Sequence, residues 1–316
     1  MSSSKPLVSI IMPMKNAAPW LVQCIESIID QQFTEWQLIV VNDHSSDNSF
    51  ELASSFRDKR ISVLQNSGTG IIDALQLAFS KSAADHITRM DADDIMPPHK
   101  LATLYAIASE NEKIIATGLV QYFGAEPISE GYLGYEKWLN TRAKHEDHWQ
   151  WIYRECVIAS ANWMTHRSNV SFDHAVYPED YDLVFDWYEK GLNVKATNSV
   201  THLWREHQSR TSRNSDHYQQ KAFFSLKLKR FVHLDFDAKK SILLLGNNQK
   251  VDLTLKVLAE FGIVPTVLTE RNLGSHDTEK ASQILIGVWP NSAQRLELER
   301  FLNQKKAFLG ENFWYL

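Results

Sequence analysis

The sequence has only two cysteines, Cys24 and Cys156, in 316 residues, too few for a disulfide framework. Cys24 falls on the apolar stripe of a predicted helix with Leu21, Ile25 and Ile28, where a thiol behaves as a small core residue. Nowhere does an apolar stretch approach the roughly 18–20 residues needed to cross a bilayer. The opening Met1-Ser2-Ser3-Ser4-Lys5-Pro6 lacks the apolar core of a signal peptide, so a cytoplasmic location is expected. Positive charge is also in deficit, with 33 Lys and Arg against 38 Asp and Glu, a net charge of -5. Binding to a phosphate backbone needs a surplus of cations on one surface, so no nucleic-acid partner is expected. There is no internal repeat or low-complexity tract, and 44% hydrophobic with 22% charged residues is the composition of a globular chain.

What the sequence does contain is an alternation of strand and helix patterns. Val8 to Met12 is a β-rich run ending at Pro13, and Ala18 to Asp30 follows with apolar residues at helical spacing. Trp36 to Val41, Ile61 to Leu64 and His86 to Met90 read as strands, separated by helices over 48–56 and 70–81. Pro97 and Pro98 lead into a further helix carrying Leu101, Leu104, Tyr105 and Ala108. This rhythm implies a parallel sheet. Ligands of such sheets bind beyond the carboxyl ends of the strands, so Asn42 and Asp43, Asn66 to Gly68, and Asp91 to Asp94 should converge on one rim. The stretch from about 125 to 163 is rich in Trp and shows no clear periodicity. From Ser241 the alternation restarts, after a linker placed around 234–240. The expected fold class is therefore α/β: a Rossmann-like, mostly parallel sheet flanked by helices over residues 1–235, then a small α/β accessory domain over 241–316.

Asp91 and Asp93 lie just past a predicted strand and point to the same side of an extended chain. Two carboxylates about 4 Å apart repel by roughly 4 kcal/mol at an effective dielectric near 20. A divalent cation relieves that repulsion, and an all-oxygen set suits Mg²⁺ or Mn²⁺ with open positions for a diphosphate. Taken alone, the triplet is equally well read as a turn whose aspartates cap the next helix.

Four motifs in order carry a specific resemblance: Val8-Ser9-Ile10-Ile11-Met12-Pro13 with Asn16, then Val41-Asn42-Asp43-His44-Ser45-Ser46-Asp47, then Met90-Asp91-Ala92-Asp93-Asp94 with Pro97, and later Pro178-Glu179-Asp180. From Pro6 to about Arg213 the chain resembles the family 2 glycosyltransferases, which have a GT-A fold. That resemblance implies a nucleotide-sugar donor, with Asp91 and Asp93 as the Asp-x-Asp pattern that binds metal and donor diphosphate, Asp93 being the direct ligand. It implies that Asp43 binds the nucleotide and that Pro13 and Asn16 lie in the loop receiving the base; Asn66 joins them by its place on the rim. The sequence departs from the family where an Arg-Asn pair is usual, having Asp73-Ala74 instead.

The resemblance also assigns the catalytic base to Asp180, with Glu179 second, although acidic residues are common in any first helical turn. In the segment 204–213, Trp204-Arg205-Glu206-His207-Gln208-Ser209 resembles the Trp/Tyr-Arg-x-His-x-x-Ser pattern of the family, with the serine one place earlier, and the resemblance implies Arg205 as a phosphate contact and His207 as a third metal ligand. Asn162 and Trp163 fall where the family forms part of the acceptor pocket. Three weaker features carry bland readings. His145-Glu146-Asp147-His148 reads as an exposed charged segment rather than a metal site. Lys221, Lys227, Lys229 and Arg230 alternate with aromatics, either as a packed helix or as a peripheral contact with an anionic membrane. After Gly246 the glycines of a dinucleotide fingerprint are missing, so the second domain reads as a stabilising or protein-interaction module. The expected function is inverting, metal-dependent transfer of a sugar to a glycan or lipid-linked acceptor in surface-polysaccharide assembly. The alternatives are a metal-dependent nucleotidyltransferase and a non-catalytic nucleotide-sugar-binding module.

Overall fold

The computed structural model describes residues 5–172, 176–269 and 282–316. Residues 1–4, part of the opening read above for a signal peptide, lie outside the described residues. Contacts divide the chain into two units, Met1–Glu146 with Ile158–Arg210, and Asp147–Val157 with Thr211–Leu316. The sequence reading drew its boundary at the 234–240 linker; contacts instead group the segment Asp147–Val157 and everything from Thr211 onward with the second unit.

The first unit opens with β1 (Val8–Met14), buried at every position, as a strand covered on both faces must be. Then follow α1 (Ala18–Ile29), β2 (Trp36–Asn42), α2 (Ser49–Ser55), β3 (Ile61–Gln65), α3 (Ile71–Ser80), β4 (His86–Arg89) and α4 (Lys100–Ala108). These match the periodicity to within two residues. Leu21, Cys24, Ile25 and Ile28 of α1 pack with Val8, Ile10 and Met12 of β1 and with Leu101 and Leu104 of α4 in one core, and Cys24 is fully buried there as expected.

Beyond α4 the structure departs from the sequence pattern. It adds β5 (Ile114–Gly124), α5 (Glu130–His145), β6 (Trp163–His166), α6 (Glu179–Glu189) and β7 (Asn193–Glu206). The sheet order is β3-β2-β1-β4-β6-β5-β7, and β6 runs antiparallel to both neighbours. The expected mostly parallel sheet flanked by helices is thus present, with one reversed strand. Pro13 sits inside β1 in register with Val41 rather than in a loop. Ile11 O accepts from Met90 N–H; Pro13, two residues on, turns its nitrogen to the same side, past the end of β4. Its missing donor therefore costs the sheet no ladder bond.

The second unit contains α7 (Thr211–Asn214), α8 (Gln220–Leu234), β8 (Ser241–Leu245), α9 (Gln249–Glu260), β9 (Thr266–Leu268), β10 (Ser282–Ile286), α10 (Ser292–Gln304) and β11 (Phe313–Tyr315). Its four strands are all parallel, in the order β11-β10-β8-β9. The 147–157 segment belongs here because its aromatics are used here: Trp151 stacks on Tyr315 at 5.5 Å and Tyr153 meets Phe231 and Trp314 edge-on. The membrane alternative for α8 loses its apolar anchors, since Phe224, Leu226, Leu228 and Phe231 are buried, and Lys227 with them. Among the described residues no helix is long and apolar enough to cross a membrane.

Candidate active site

The carboxyl ends of β1, β2 and β3 build one half of the site. Asp43 follows β2 directly and is only 4% exposed. Its Oδ1 accepts from Asn66 Nδ2 at 2.8 Å and Gly70 N–H at 2.9 Å, and its Oδ2 from Lys15 Nζ at 3.1 Å. Burial disfavours the charge, but these bonds outweigh it and hold the carboxyl below the usual range. Gly70 has φ +97, and a side chain there would approach the Tyr177 hydroxyl to 3.3 Å, so glycine lets the backbone come up to Asp43. The departure at Asp73 is explained locally: its Oδ2 accepts the Thr69 N–H at 2.8 Å and closes the turn before α3. Asn16, at φ 50, accepts through Oδ1 from Ser46 N–H at 2.8 Å and Ser46 Oγ at 3.2 Å. Asp43 and Asn66 therefore meet on one rim, as the strand pattern predicts, and Asn16 is tied to the loop that follows Asp43.

The acidic loop after β4 forms the other half, and its three aspartates have three different environments. Asp91 is tied on both oxygens, Oδ1 accepting from Arg89 Nε at 2.8 Å and Oδ2 from Ser160 Oγ at 3.1 Å. Asp93 Oδ2 lies 2.9 Å from His207 Nε2. Burial raises the Asp93 carboxyl, yet the His207 bond and the nearby Arg210 charge win and hold it low. Asp94 is fully buried, accepts from Arg205 N–H at 2.8 Å and lies 3.0 Å from His202 Nε2. Beneath it, Lys100 donates to Ala161 O at 2.6 Å and lies 3.4 Å from His202 Nδ1. Burial lowers His202 and pulls Lys100 down to about 7. A neutral imidazole with its proton on Nε2 and its acceptor Nδ1 toward Lys100 fits both contacts. Arg205 reinforces the same loop: Nε donates to Asp93 O at 2.7 Å and Nη2 to Gln23 Oε1 at 2.7 Å.

Helix α6 presents the third group. Glu179 is joined through Oε1 to Arg89 Nη1 at 2.9 Å, so one guanidinium, 7% exposed, bridges Glu179 and Asp91. Asp180 is different. The hydrogen bond to its carboxyl among the described residues comes from Tyr181 N–H at 2.9 Å. Burial first and the Glu179 charge second push it up to about 7, against the opposing pull of Arg89.

A family model described as "Glycosyl transferase family 2" matches residues 9–170, slightly more than half of the chain and including all but the first residue of β1, Asp43 and the acidic loop. The chain belongs to glycosyl transferase family 2. Streptococcus pneumoniae "Glycosyltransferase GlyG" is 33% identical over 115 residues, covering 35% of this chain and 38% of that protein. The Bacillus subtilis "Uncharacterized glycosyltransferase EpsJ" is 24% identical over 218 residues, covering 64% of this chain and 61% of its own length. The chain thus spans less than two thirds of either relative. A solved structure of S. aureus TarS 1-349 in complex with UDP-GlcNAc has a similar fold, with TM-score 0.57 at 14% identity, over 79% of this chain and 71% of that one.

Asp180, Arg205 and His207 lie beyond the residues that the family 2 model matches, and the structure brings the two halves together. Two expectations need correction. Asn162 is fully buried, with Nδ2 bonded to Gly118 O at 2.8 Å and Oδ1 to Thr201 Oγ1 at 2.7 Å. Trp163 is 2% exposed, donates to Ser160 O at 2.7 Å and packs edge-on against Trp187. Both hold the sheet together and offer no face to an acceptor. Asp91, expected beside Asp93 as a metal ligand, is occupied by Arg89 and Ser160, and among the described residues no three His, Cys, Asp or Glu side chains group to hold a metal. A two-residue donor set does fit. The 2.9 Å between Asp93 Oδ2 and His207 Nε2 is close to the roughly 3 Å edge of an octahedron with bonds of about 2.1 Å. Ser209 Oγ at 3.0 Å from Nδ1 and the Trp20 ring stacked at 3.7 Å orient the imidazole. Sequence reasoning passed over Arg89, Ser160 and His202, and took Arg210 only as part of the basic segment 204–213. Arg89, one residue ahead of Met90-Asp91, and Arg210, inside the basic segment, were the two with a visible signal.

Proposed function

We propose that this family 2 member is an inverting glycosyltransferase that moves a sugar from a nucleotide-sugar donor to a hydroxyl of a glycan or lipid-linked acceptor. The observation that carries the mechanism is the state of Asp180. It is a carboxyl raised to about 7, and Arg89 and Glu179 link its helix to the acidic loop. A general base works best with a pKa near the operating pH.

Family membership supports the nucleotide-sugar donor, and the fold is one in which TarS holds UDP-GlcNAc. Asp43, Asn66 and the Gly70 backbone would receive the nucleoside, with Asn16 at the edge. The diphosphate would lie toward Asp91 and Asp93, where Arg205 and Arg210 supply cationic donors. Mg²⁺ or Mn²⁺, held by Asp93 and His207, would offset charge on the departing diphosphate. Asp180 accepts the proton of the acceptor hydroxyl as that oxygen bonds to the anomeric carbon. The bond from that carbon to the diphosphate oxygen breaks in the same step. Attack from the face opposite the leaving group inverts the centre. An acceptor in surface-polysaccharide assembly rests on the family resemblance.

The test is Asp180→Asn with product analysis. Donor binding should persist while transfer falls by about 10²–10⁴-fold, and wild-type turnover would remove Asp180 from the mechanism. Free nucleoside diphosphate among the products is expected; pyrophosphate would instead mean attack at phosphorus.

A further inference from the structure

In the second unit the chain passes from β8 through α9 to β9 at one edge, and from β10 through α10 to β11 at the other. The winding therefore reverses between β8 and β10, which are direct neighbours. In open α/β sheets, the crevice outside the carboxyl ends of the strands at such a reversal is where ligands bind.

Cations gather around the start of α9. Lys227 of α8 is 2% exposed, and an ammonium has three protons to donate. Among the described residues its hydrogen bonding amounts to one long contact, 3.4 Å to Arg154 O, with the Phe224 ring 3.8 Å away. Lys250, in the first turn of α9, donates to a main-chain oxygen of Leu316, the last residue of the sequence, at 3.1 Å and lies 5.6 Å from the same Phe224 ring. Arg154 Nε is enclosed with no partner among the described residues, while Nη1 pairs with Glu155 at 2.7 Å. Among the described residues, Glu155 is the acidic side chain that acts on both lysines, and it also pairs with Arg154. Burial above all, with Lys250 and Arg154 adding to it, pulls Lys227 down to about 7. Just past β10, the half-exposed Trp289 ring is flanked by the guanidiniums of Arg154 at 4.3 Å and Arg295 at 4.6 Å.

Enclosed cations short of counter-charge are costly, and a bound anion removes the cost. We propose that the carboxyl end of this second sheet is a further ligand site, binding a phosphoryl group on Lys250, Arg154 and Lys227. It differs from a dinucleotide site of the glycine-rich kind. The Asn248 side chain already accepts the Lys250 and Val251 N–H groups, so recognition falls to the cationic side chains and not to the helix end. The site is independent of the glycosyltransferase reading of the first unit.

The experiment uses the full chain and inorganic phosphate, titrated at constant ionic strength against chloride and followed by thermal unfolding and calorimetry. Phosphate should raise the melting temperature of the wild type and of Arg205→Ala, a change confined to the first unit. Lys250→Gln and Lys227→Met, checked for folding in chloride, should bind phosphate at least tenfold more weakly. An equal response in both lysine variants overturns the proposal. Phosphatidylcholine vesicles with and without phosphatidic acid form the second arm. Pelleting that needs phosphatidic acid and Lys250, without a response to free phosphate, assigns the phosphoryl group to a lipid headgroup. No response in either arm also overturns the site.

Discussion

Replacing Asp180 by Asn removes a titrating group and little else, because the amide oxygen can accept the same Tyr181 N–H. Its consequence for stability can be worked through. Burial, then the Glu179 charge, takes this carboxyl from 3.8 to about 7 in the folded protein, whereas an unfolded chain leaves it near ~3.9. About three pH units at ~1.36 kcal/mol each give about 4 kcal/mol as an upper figure, since Glu179 and Arg89 titrate in the same field. The sign follows from proton binding. The folded state holds this proton more tightly, so the contribution is fully present below about pH 4 and is lost as pH rises through about 7. The Asn variant has no such loss. The unfolding free energy of Asp180→Asn minus that of the wild type should therefore grow by as much as about 4 kcal/mol between about pH 4 and pH 8. Urea unfolding followed by tryptophan fluorescence at several pH values measures it. A difference that stays flat across that range would refute the raised carboxyl and with it the case for a base at this position. The same raised value predicts that wild-type kcat/KM climbs with pH to a plateau above about 7.

Three further outcomes follow from the first unit. Arg89→Ala leaves the 4% exposed Glu179 side chain and Asp91 without their shared cation and should cost about 3–5 kcal/mol in urea unfolding; a loss below about 1 kcal/mol would mean the bridge carries little. Asp43→Asn weakens the charge-assisted bonds from Lys15, Asn66 and Gly70 and should loosen nucleotide-sugar binding by about 10–100-fold in calorimetry, while an unchanged Kd would take Asp43 out of the donor site. His207→Ala removes one of the two proposed metal donors and should raise the Mn²⁺ concentration needed for half-maximal transfer by about 10–100-fold; an unaltered requirement would exclude His207 as a ligand.

The sequence alone determined the strand and helix alternation through α4, the buried Cys24 and the placing of Asp43, Asn66 and the acidic loop on one rim. Those properties depend on local periodicity and on which end of a parallel strand a residue follows, and both survive in a linear reading. Strand β7 escaped it because an edge strand with exposed Asn193, Lys195, Asn198 and Ser199 has no apolar alternation to show. Strand β6 escaped it because four residues are too few for any period. Only the tertiary structure separated the three aspartates, since Asp91, Asp93 and Asp94 differ in partners drawn from positions 69 to 114 residues away. It also withdrew Asn162 and Trp163 from the acceptor side by burying them, and gathered Lys227 and Lys250 around the Phe224 ring with Arg154 nearby on Trp289. Charge and hydrogen-bond environments are set by distance in space, and chain order fixes such distances only once the chain has folded.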